Sequence, residues 1–354
     1  MTCLHVIKAL RELDYSVMVA SDHFSPTEVN EKFGMGEVLE GCEHLFLPPF
    51  RPIFPRFLAL QRVSHVDKQM RKMEALKPTI AFNTQSPTLY LRNTKNLGII
   101  YEFSEFFALH SSGQFRTDLL TSTARLPYQA LVRRRLSQFE DRSKSSRMFI
   151  PLSNSLEYQL KLFDYPHTPT VFPPCDLIFS PKVKKKRVVQ VTRIFPFKRL
   201  EEFMEIARRL PNYDFMIVAA DTAAERLSRP TYLQKLLAER PPNVQYVEAR
   251  IRSRPELLEE SKVYLYTSIE PGINISAAQA LGAGCVLVTP IWGGGAEMVR
   301  AAGVGYSYSN IDDAVDKVRK ALEAPDASEE LSEKARIFSA ERFEDSIKKI
   351  VATL

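Results

Sequence analysis

Short runs of β-branched and apolar residues alternate with helix-length amphipathic segments along the whole chain, the pattern of parallel sheets covered by helices. In the first half the strand-like runs are SVMVAS, HLFLPP, TIAFNTQ, LGIIYEF, MFIPLSN and TPTVFPP. In the second half they are RVVQVTRI, DFMIVAA, VQYVEA, KVYLYTS, CVLVTP and GYSYS, separated by helical patterns such as KRLEEFMEIARRL, after which the chain closes in helices only. Between the two sets lies PPCDLIFSPKVKKKR, rich in proline and lysine and without periodicity, which reads as an interdomain linker over Asp176 to Lys186. The expectation is α/β with two Rossmann-like domains, residues 1–176 and 177–354, and a cleft between them beyond the carboxyl ends of the strands.

The opening is unusual for such a domain. A doubly wound fold starts with a strand and a glycine turn, whereas this chain starts with TCLHVIKALRELDYSVMVAS, a helix running into a strand. The first domain is therefore expected to lack its first strand. In this topology that strand is central, and its loss leaves ladder groups unpaired at about 1–3 kcal/mol each. Either Met1 is an internal methionine of a longer protein or the domain is compromised, and the first reading is preferred.

Composition narrows the function classes. The 354 residues are 45% hydrophobic, enough for two domains with their own cores, and contain no apolar run long enough to span a bilayer and no signal-peptide pattern at the start. A cytoplasmic protein is expected. Cys3, Cys42, Cys175 and Cys285 have no CxxC spacing, so buried free thiols are expected, not a disulfide framework or a zinc site. The net charge of +6 is uneven: residues 51–77 carry seven Lys/Arg against two acids, and 116–147 carry eight against three. Solvated helix faces are the ordinary cause of such runs. In PPFRPIFPRFLAL, however, Phe50, Phe54 and Phe57 alternate with Arg51 and Arg56, a mixture suited to an anionic lipid surface at the inner face of the membrane. No nucleic-acid motif accompanies the charge, and nucleic acid is not expected as a partner.

Three stretches can carry chemistry. In VTRIFPFKRLEEF a strand leads to Arg193 and, five residues on, Lys198 at the mouth of a helix, two cations above unpaired N–H groups that suit a diphosphate. The other reading makes Arg193 a cap for a neighbouring helix and Lys198 a solvated side chain. In SIEPGINISAAQALGAG a strand ends at Glu270, Pro271 and Gly272 form a turn open to close backbone approach, and Asn274 or Ser276 caps a helix of small residues carrying Gln279 in its second turn. An ordinary strand-turn-helix with an exposed acid gives the same pattern. In TPIWGGGAEMV, Gly293, Gly294 and Gly295 leave a strand and meet Glu297 at a helix start, offering backbone N–H groups or merely a surface connection.

The order RIFPFK, NVQYVEA, EPGINISAAQALGAGCVLVTPIWGGGAEMV and RFEDSIKKIV resembles the second domain of family 4, or group 1, glycosyltransferases of GT-B fold, and SNSLEYQL followed by CDLIFSP resembles that family's crossing between domains. The resemblance covers residues 150 to 350; the first half agrees mainly in element order. It implies a sugar transferred from a nucleoside diphosphate sugar, such as a UDP- or GDP-sugar, to an acceptor hydroxyl with retention of configuration. It puts the diphosphate on Arg193 and Lys198, the sugar hydroxyls on Glu270, backbone contacts at Gly272, Ile273, Asn274 and Ile275, and the ribose hydroxyls on Gln279.

The chain departs from the family in two respects. Eight residues separate Glu270 from Gln279 where the family has seven, which places Ala278 at the strict position, and Gln for Glu loses a charge. In the first domain the glycine-rich loop is absent, and LGIIYEFSEFFALH offers Glu102 and Glu105 where the family carries a histidine. A nucleotide-sugar-binding protein of weak or no activity is the alternative. No Asp-x-Asp is placed for a divalent ion, so neither a metal nor any cofactor is expected. The first domain is expected to take the acceptor, a glycan or lipid-linked saccharide, with peripheral attachment to the membrane.

Overall fold

The computed structural model describes residues 1–51, 53, 58–84, 91, 93–100, 147–177, 179–219, 230–270 and 272–354. The chain forms two compact units: residues 1–171 with 343–354, and residues 172–342.

The first unit runs α1 (Thr2–Arg11), β1 (Met18–Ser21), α2 (Pro26–Phe33), β2 (Glu43–Phe46), α3 (Leu58–Glu74), β3 (Ile80–Asn83), β4 (Lys95–Ile100), β5 (Arg147–Pro151) and α4 (Asn154–Leu162). Local signals set the limits of α2. The Ser25 side chain accepts from the Glu28 N–H, Pro26 occupies the first turn, and Gly34 ends the helix in the left-handed region at φ 67°.

All described strand pairings in this unit are parallel, but β1–β2 and β3–β4–β5 are separate sheets, and among the described residues no strand precedes α1. One helix serves both. Leu4 and Ile7 of α1 pack with Val38 and Leu39 beside β1, while Val6 and Ala9 pack with Leu97, Ile99 and Ile150 of the other sheet. Strands of parallel sheets are normally buried on both faces. Here Met18 of β1 is 38% exposed and Phe46 of β2 55% exposed.

The segment TPTVFPP, expected as a strand, forms none; the isolated bridge to β5 is made by His167, just ahead of it, with Phe149. The Thr168 and Val171 N–H groups donate to Phe149 O and Pro151 O, at 2.8 and 3.0 Å. Pro166 and Pro169 alternate with these residues and have no N–H to extend the ladder.

The second unit runs β6 (Lys185–Val191), α5 (Leu200–Arg209), β7 (Asp214–Ala219), α6 (Pro230–Ala238), β8 (Val244–Glu248), α7 (Glu256–Glu259), β9 (Ser261–Leu265), α8 (Ile275–Gly282), β10 (Val286–Pro290), α9 (Gly294–Ala302), β11 (Tyr306–Tyr308), α10 (Ile311–Glu323) and α11 (Ser328–Ala335). Its six strands are parallel in the order β11-β10-β9-β6-β7-β8. Every strand expected from the second-half pattern is present. Strand order reverses between β6 and β9, the neighbours from which the chain winds outward in both directions. Two apolar layers enclose the sheet. Leu200, Phe203, Ile206 and Ala207 of α5 join Val318 and Leu322 of α10 on one face, and Ala277, Ala278 and Leu281 of α8 join Met298 of α9 and Phe338 on the other.

The lysine-rich segment read as a linker packs on this unit. Cys175 and Phe179 are buried in its core, Lys182 pairs with Glu259 at 2.6 Å, and Lys184 Nζ donates to Glu259 O at 2.7 Å and to Ala283 O at the end of α8. The apolar residues ahead of the lysines decide its place, and the division falls earlier, between Val171 and Phe172.

The chain also returns. The last helix, α12 (Ala340–Ala352), sends Phe343, Ile347 and Val351 into the core of the first unit beside Val6, Ile150 and Val171. Buried Glu344 accepts from Lys8 Nζ at 2.8 Å and lies 2.7 Å from His5 Nδ1. Within the second unit, the entering and leaving segments are joined: the Cys175 N–H donates to Phe338 O at 3.0 Å, and the Phe172 and Phe338 rings lie 5.1 Å apart.

Candidate active site

Open parallel α/β sheets bind ligands beyond the carboxyl ends of their strands where strand order reverses. In the second unit that point lies between β6 and β9, and the loops after these strands meet there through side chains. After β6 the chain passes Arg193 and enters a short 3-10 turn, Pro196–Lys198. Arg199 then takes the left-handed conformation at φ 53°, which starts α5 without a side-chain cap. After β9 it continues through Tyr266, Thr267, Ser268 and Ile269 to Glu270.

Buried Lys198 and Glu270 form an ion pair across this junction. Three further bonds hold the pair in place. Thr267 Oγ1, fully buried, donates to Lys198 O at 2.6 Å and accepts from Gln190 Nε2 at 3.2 Å. Ser268 Oγ donates to Glu270 Oε2 at 2.9 Å. The loop behind Glu270 is seated on the glycine loop after β10. The Gly294 N–H donates to Glu270 O at 2.9 Å, Gly293 has φ 83°, and a Cβ on Gly293 would stand 2.6 Å from Ile269 O. A Cβ on Gly294 would collide with the Gly272 carbonyl. Only residues without side chains allow this approach. The Gly293 to Gly295 turn leads directly into α9, whose N-cap is Gly293 and whose first N–H, from Gly294, is spent on Glu270 O.

The residues singled out in the sequence fall into three groups. Lys198, Glu270, Gly272 and the three glycines come together. Gly272 has φ 90°, and Asn274 caps α8, its Oδ1 accepting from the Ala277 N–H at 2.8 Å. Ile273 is half-buried against the apolar layer beneath α8, and Ile275 is exposed at the first helical position. Arg193 stands apart from the ion pair. It is exposed, with its guanidinium 5.4 Å from the Phe195 ring centroid. Phe195 stacks on Phe197 at 5.2 Å, and Lys198 Nζ lies 5.1 Å from the Phe197 centroid, so each cation rides on one ring of a stacked pair. Gln279 is buried in α8, and its Nε2 donates to Asp176 O at 3.4 Å, while the Asp176 carboxylate pairs with Arg252.

Tyr266, Thr267 and Ser268 are site residues that sequence reasoning missed. Tyr266 lies under the glycine loop, its ring 2.8 Å from where a Gly295 Cβ would be, and burial, with the Glu270 charge adding to it, raises its phenol above the usual range. The available signal was the polar TS pair closing an otherwise apolar strand just before Glu270. Glu102, Glu105 and most of the Phe/Arg loop lie outside the described residues. No group of three or more His, Cys, Asp or Glu arranged to hold a metal ion occurs among the described residues, and no described helix is long and apolar enough to cross a membrane.

Residues 178–338 match the family model for glycosyl transferases group 1. Comparison with curated proteins gives no match. Among solved structures, a glycosyltransferase from Rickettsia africae ESF-5 is similar at TM-score 0.66 and 13% identity, covering 99% of this chain and 93% of that one. Anabaena Alr3699/HepE, crystallised with UDP and glucose, is similar at TM-score 0.66 and 12% identity over 100% of this chain and 95% of its own. WaaG, a glycosyltransferase involved in lipopolysaccharide biosynthesis, is similar at TM-score 0.59 and 14% identity over 98% and 95%. The fold is GT-B.

Proposed function

We propose that the protein is a glycosyltransferase that moves a sugar from a nucleoside diphosphate sugar to an acceptor hydroxyl, with retention of configuration and without a metal. The observation that carries this reading is the Lys198–Glu270 ion pair at the strand-order reversal of a unit that matches group 1 glycosyl transferases.

When the bond between the sugar and the diphosphate breaks, negative charge gathers on the leaving phosphate. Lys198 and, beyond the stacked Phe195 and Phe197 rings, Arg193 supply fixed positive charge for it. Preorganised groups of this kind contribute several kcal/mol to such a barrier. A diphosphate draws Lys198 from Glu270, and the released carboxylate, still held by Ser268, accepts from sugar hydroxyls and orients the ring. The leaving phosphate itself takes the proton of the attacking hydroxyl. Gly272, Ile273, Asn274 and Ile275 give the donor a close-fitting turn. The first unit supplies the acceptor site, for a glycan or a lipid-linked saccharide, and its basic stretches attach the protein peripherally to an anionic membrane from the cytoplasmic side.

A second reading, a nucleotide-sugar-binding protein with little turnover, is favoured by one observation: Gln279 carries no charge for a ribose, and its amide is engaged with Asp176 O. A single assay separates the two. Purified protein is incubated with radiolabelled UDP- and GDP-hexoses and scored for both binding and release of UDP or GDP. Release of the nucleotide that is lost in Lys198→Ala supports transferase chemistry. Binding without release supports the second reading, and no binding of any donor rejects both.

A further inference from the structure

Among the described residues of the second unit, six large apolar side chains are exposed, and five of them fall beyond the carboxyl ends of neighbouring strands: Phe197, Ile269, Ile291 and Trp292 on the loops that follow β6, β9 and β10, and Ile275 at the first position of α8. Trp292 is 71% exposed and is the only tryptophan in the chain. Its position is fixed from both sides. The Ile291 N–H donates to Tyr308 O at 2.8 Å, and on the other side Gly293 rests on Ile269 O while the Gly294 N–H holds Glu270 O. Phe197, 43% exposed, is tied in the same way, its carbonyl accepting from Ser268 Oγ at 3.4 Å. Exposed apolar groups are ordinary when scattered, but a contiguous set around polar groups marks a ligand site. At the centre here are a carboxylate, a hydroxyl and an ammonium, namely Glu270, Ser268 and Lys198.

From this juxtaposition we infer that Trp292 is the stacking platform for a pyranose ring, and therefore a positioning and specificity residue of this site. The inference rests on the nucleotide-sugar reading above. A pyranose has the matching two-sided chemistry: a face of C–H groups that lies on an aromatic ring, and edge hydroxyls that need acceptors such as Glu270. A flat exposed indole on a loop anchored to the Glu270 backbone supplies the first, next to the second. Loss of that stacking face is expected to weaken the sugar-bearing ligand about tenfold. Because Trp292 is exposed, its removal leaves the core intact.

The single tryptophan makes the test direct. Binding of UDP, GDP, UDP-glucose, UDP-galactose, UDP-N-acetylglucosamine and GDP-mannose is measured by calorimetry, and Trp292 emission is followed in parallel, with maltose alone as a further arm. The expected result is that the best sugar nucleotide perturbs emission more than its parent nucleotide. Trp292→Ala weakens that sugar nucleotide at least tenfold while the parent nucleotide changes less than twofold, and Trp292→Phe recovers most of the loss. If maltose alone perturbs emission and the sugar nucleotides do no more than their parents, the pyranose on Trp292 belongs to the acceptor. Equal loss for nucleotide and sugar nucleotide, or loss for neither together with silent maltose, overturns the inference while leaving the nucleotide-sugar reading intact. If none of the nucleotides or sugar nucleotides binds the parent protein, that reading fails and takes the inference with it.

Discussion

Lys198 reaches across the gap between the two strands where the sheet changes winding direction and neutralises Glu270, with its side chain 10% exposed against 33% for its partner. The pair keeps a nearly buried ammonium compensated.

Opposite effects of the two partners follow. Lys198→Ala is expected to lower transfer about 100- to 1,000-fold. Glu270→Gln is expected to abolish productive transfer yet tighten binding of free UDP or GDP about fivefold, near 1 kcal/mol, because the diphosphate no longer competes with a carboxylate. Calorimetry with nucleotide and with sugar nucleotide checks the sign. Weaker nucleotide binding in Glu270→Gln would show that the carboxylate does not compete.

The loop interlock is testable at Gly294, where a methyl group meets the Gly272 carbonyl. Gly294→Ala is expected to cost about 1–3 kcal/mol of stability through overpacking and to weaken donor binding more than tenfold, because the two loops must separate. Urea melts and donor titration read the two effects. Ala at Gly303, which meets nothing within 4 Å but has φ 69°, is the control that strains the backbone without touching the site.

The thiols are predicted to divide into two classes. Cys175 and Cys285 are fully buried, and desolvation raises them to about 12 and about 11, whereas Cys3 and Cys42 are half-buried. A thiol reagent at pH 8 is expected to modify Cys3 and Cys42 in the native protein, and Cys175 and Cys285 only as fast as the second unit opens. The same shifts set a stability slope. The unfolded thiols ionise near 9.0 and the folded ones later, so their contribution is full below pH 9 and is lost as pH rises through about 11 and 12. Lys184, whose charge burial disfavours, acts in the opposite sense and is coupled to Cys285, so the contrast between Cys175→Ala and the parent is the one that reads a thiol without a lysine beside it.

Amide exchange is predicted to be uneven between the units. In β1 and β2, which have one strand neighbour each among the described residues and exposed Met18 and Phe46, amides are expected to exchange at least about 100-fold faster than those of β6 and β9, which have neighbours on both sides. Equal protection would mean that the two-stranded sheet opens only with the whole unit.

All six strands of the second unit are legible in the sequence because each is a short apolar run bounded by turn residues. Buried parallel strands such as Val286–Pro290 have no other reason to be so uniformly apolar. Lys198 and Glu270 could be named because cations at a helix mouth and an acid before a glycine turn are local patterns. The seat of Gly294 on Gly272 could not, because it joins residues far apart in sequence and depends on two backbones meeting. The lysine-rich segment reads as a linker because composition weighs its lysines, whereas its packing is decided by Cys175 and Phe179 ahead of them.

The return of the last helix makes the second unit an insertion within the first. Val171 and Phe343 belong to one core, yet 171 residues of chain lie between them. Closing so long a disordered loop costs on the order of 4 kcal/mol. Once the second unit has folded, the Cys175–Phe338 bond holds its entrance and exit side by side, and the stretch to be closed shrinks to a few residues. The second unit therefore acts as a clasp for the core that closes around Val171 and Phe343, and loosening the Cys175–Phe338 junction should unravel that core as well.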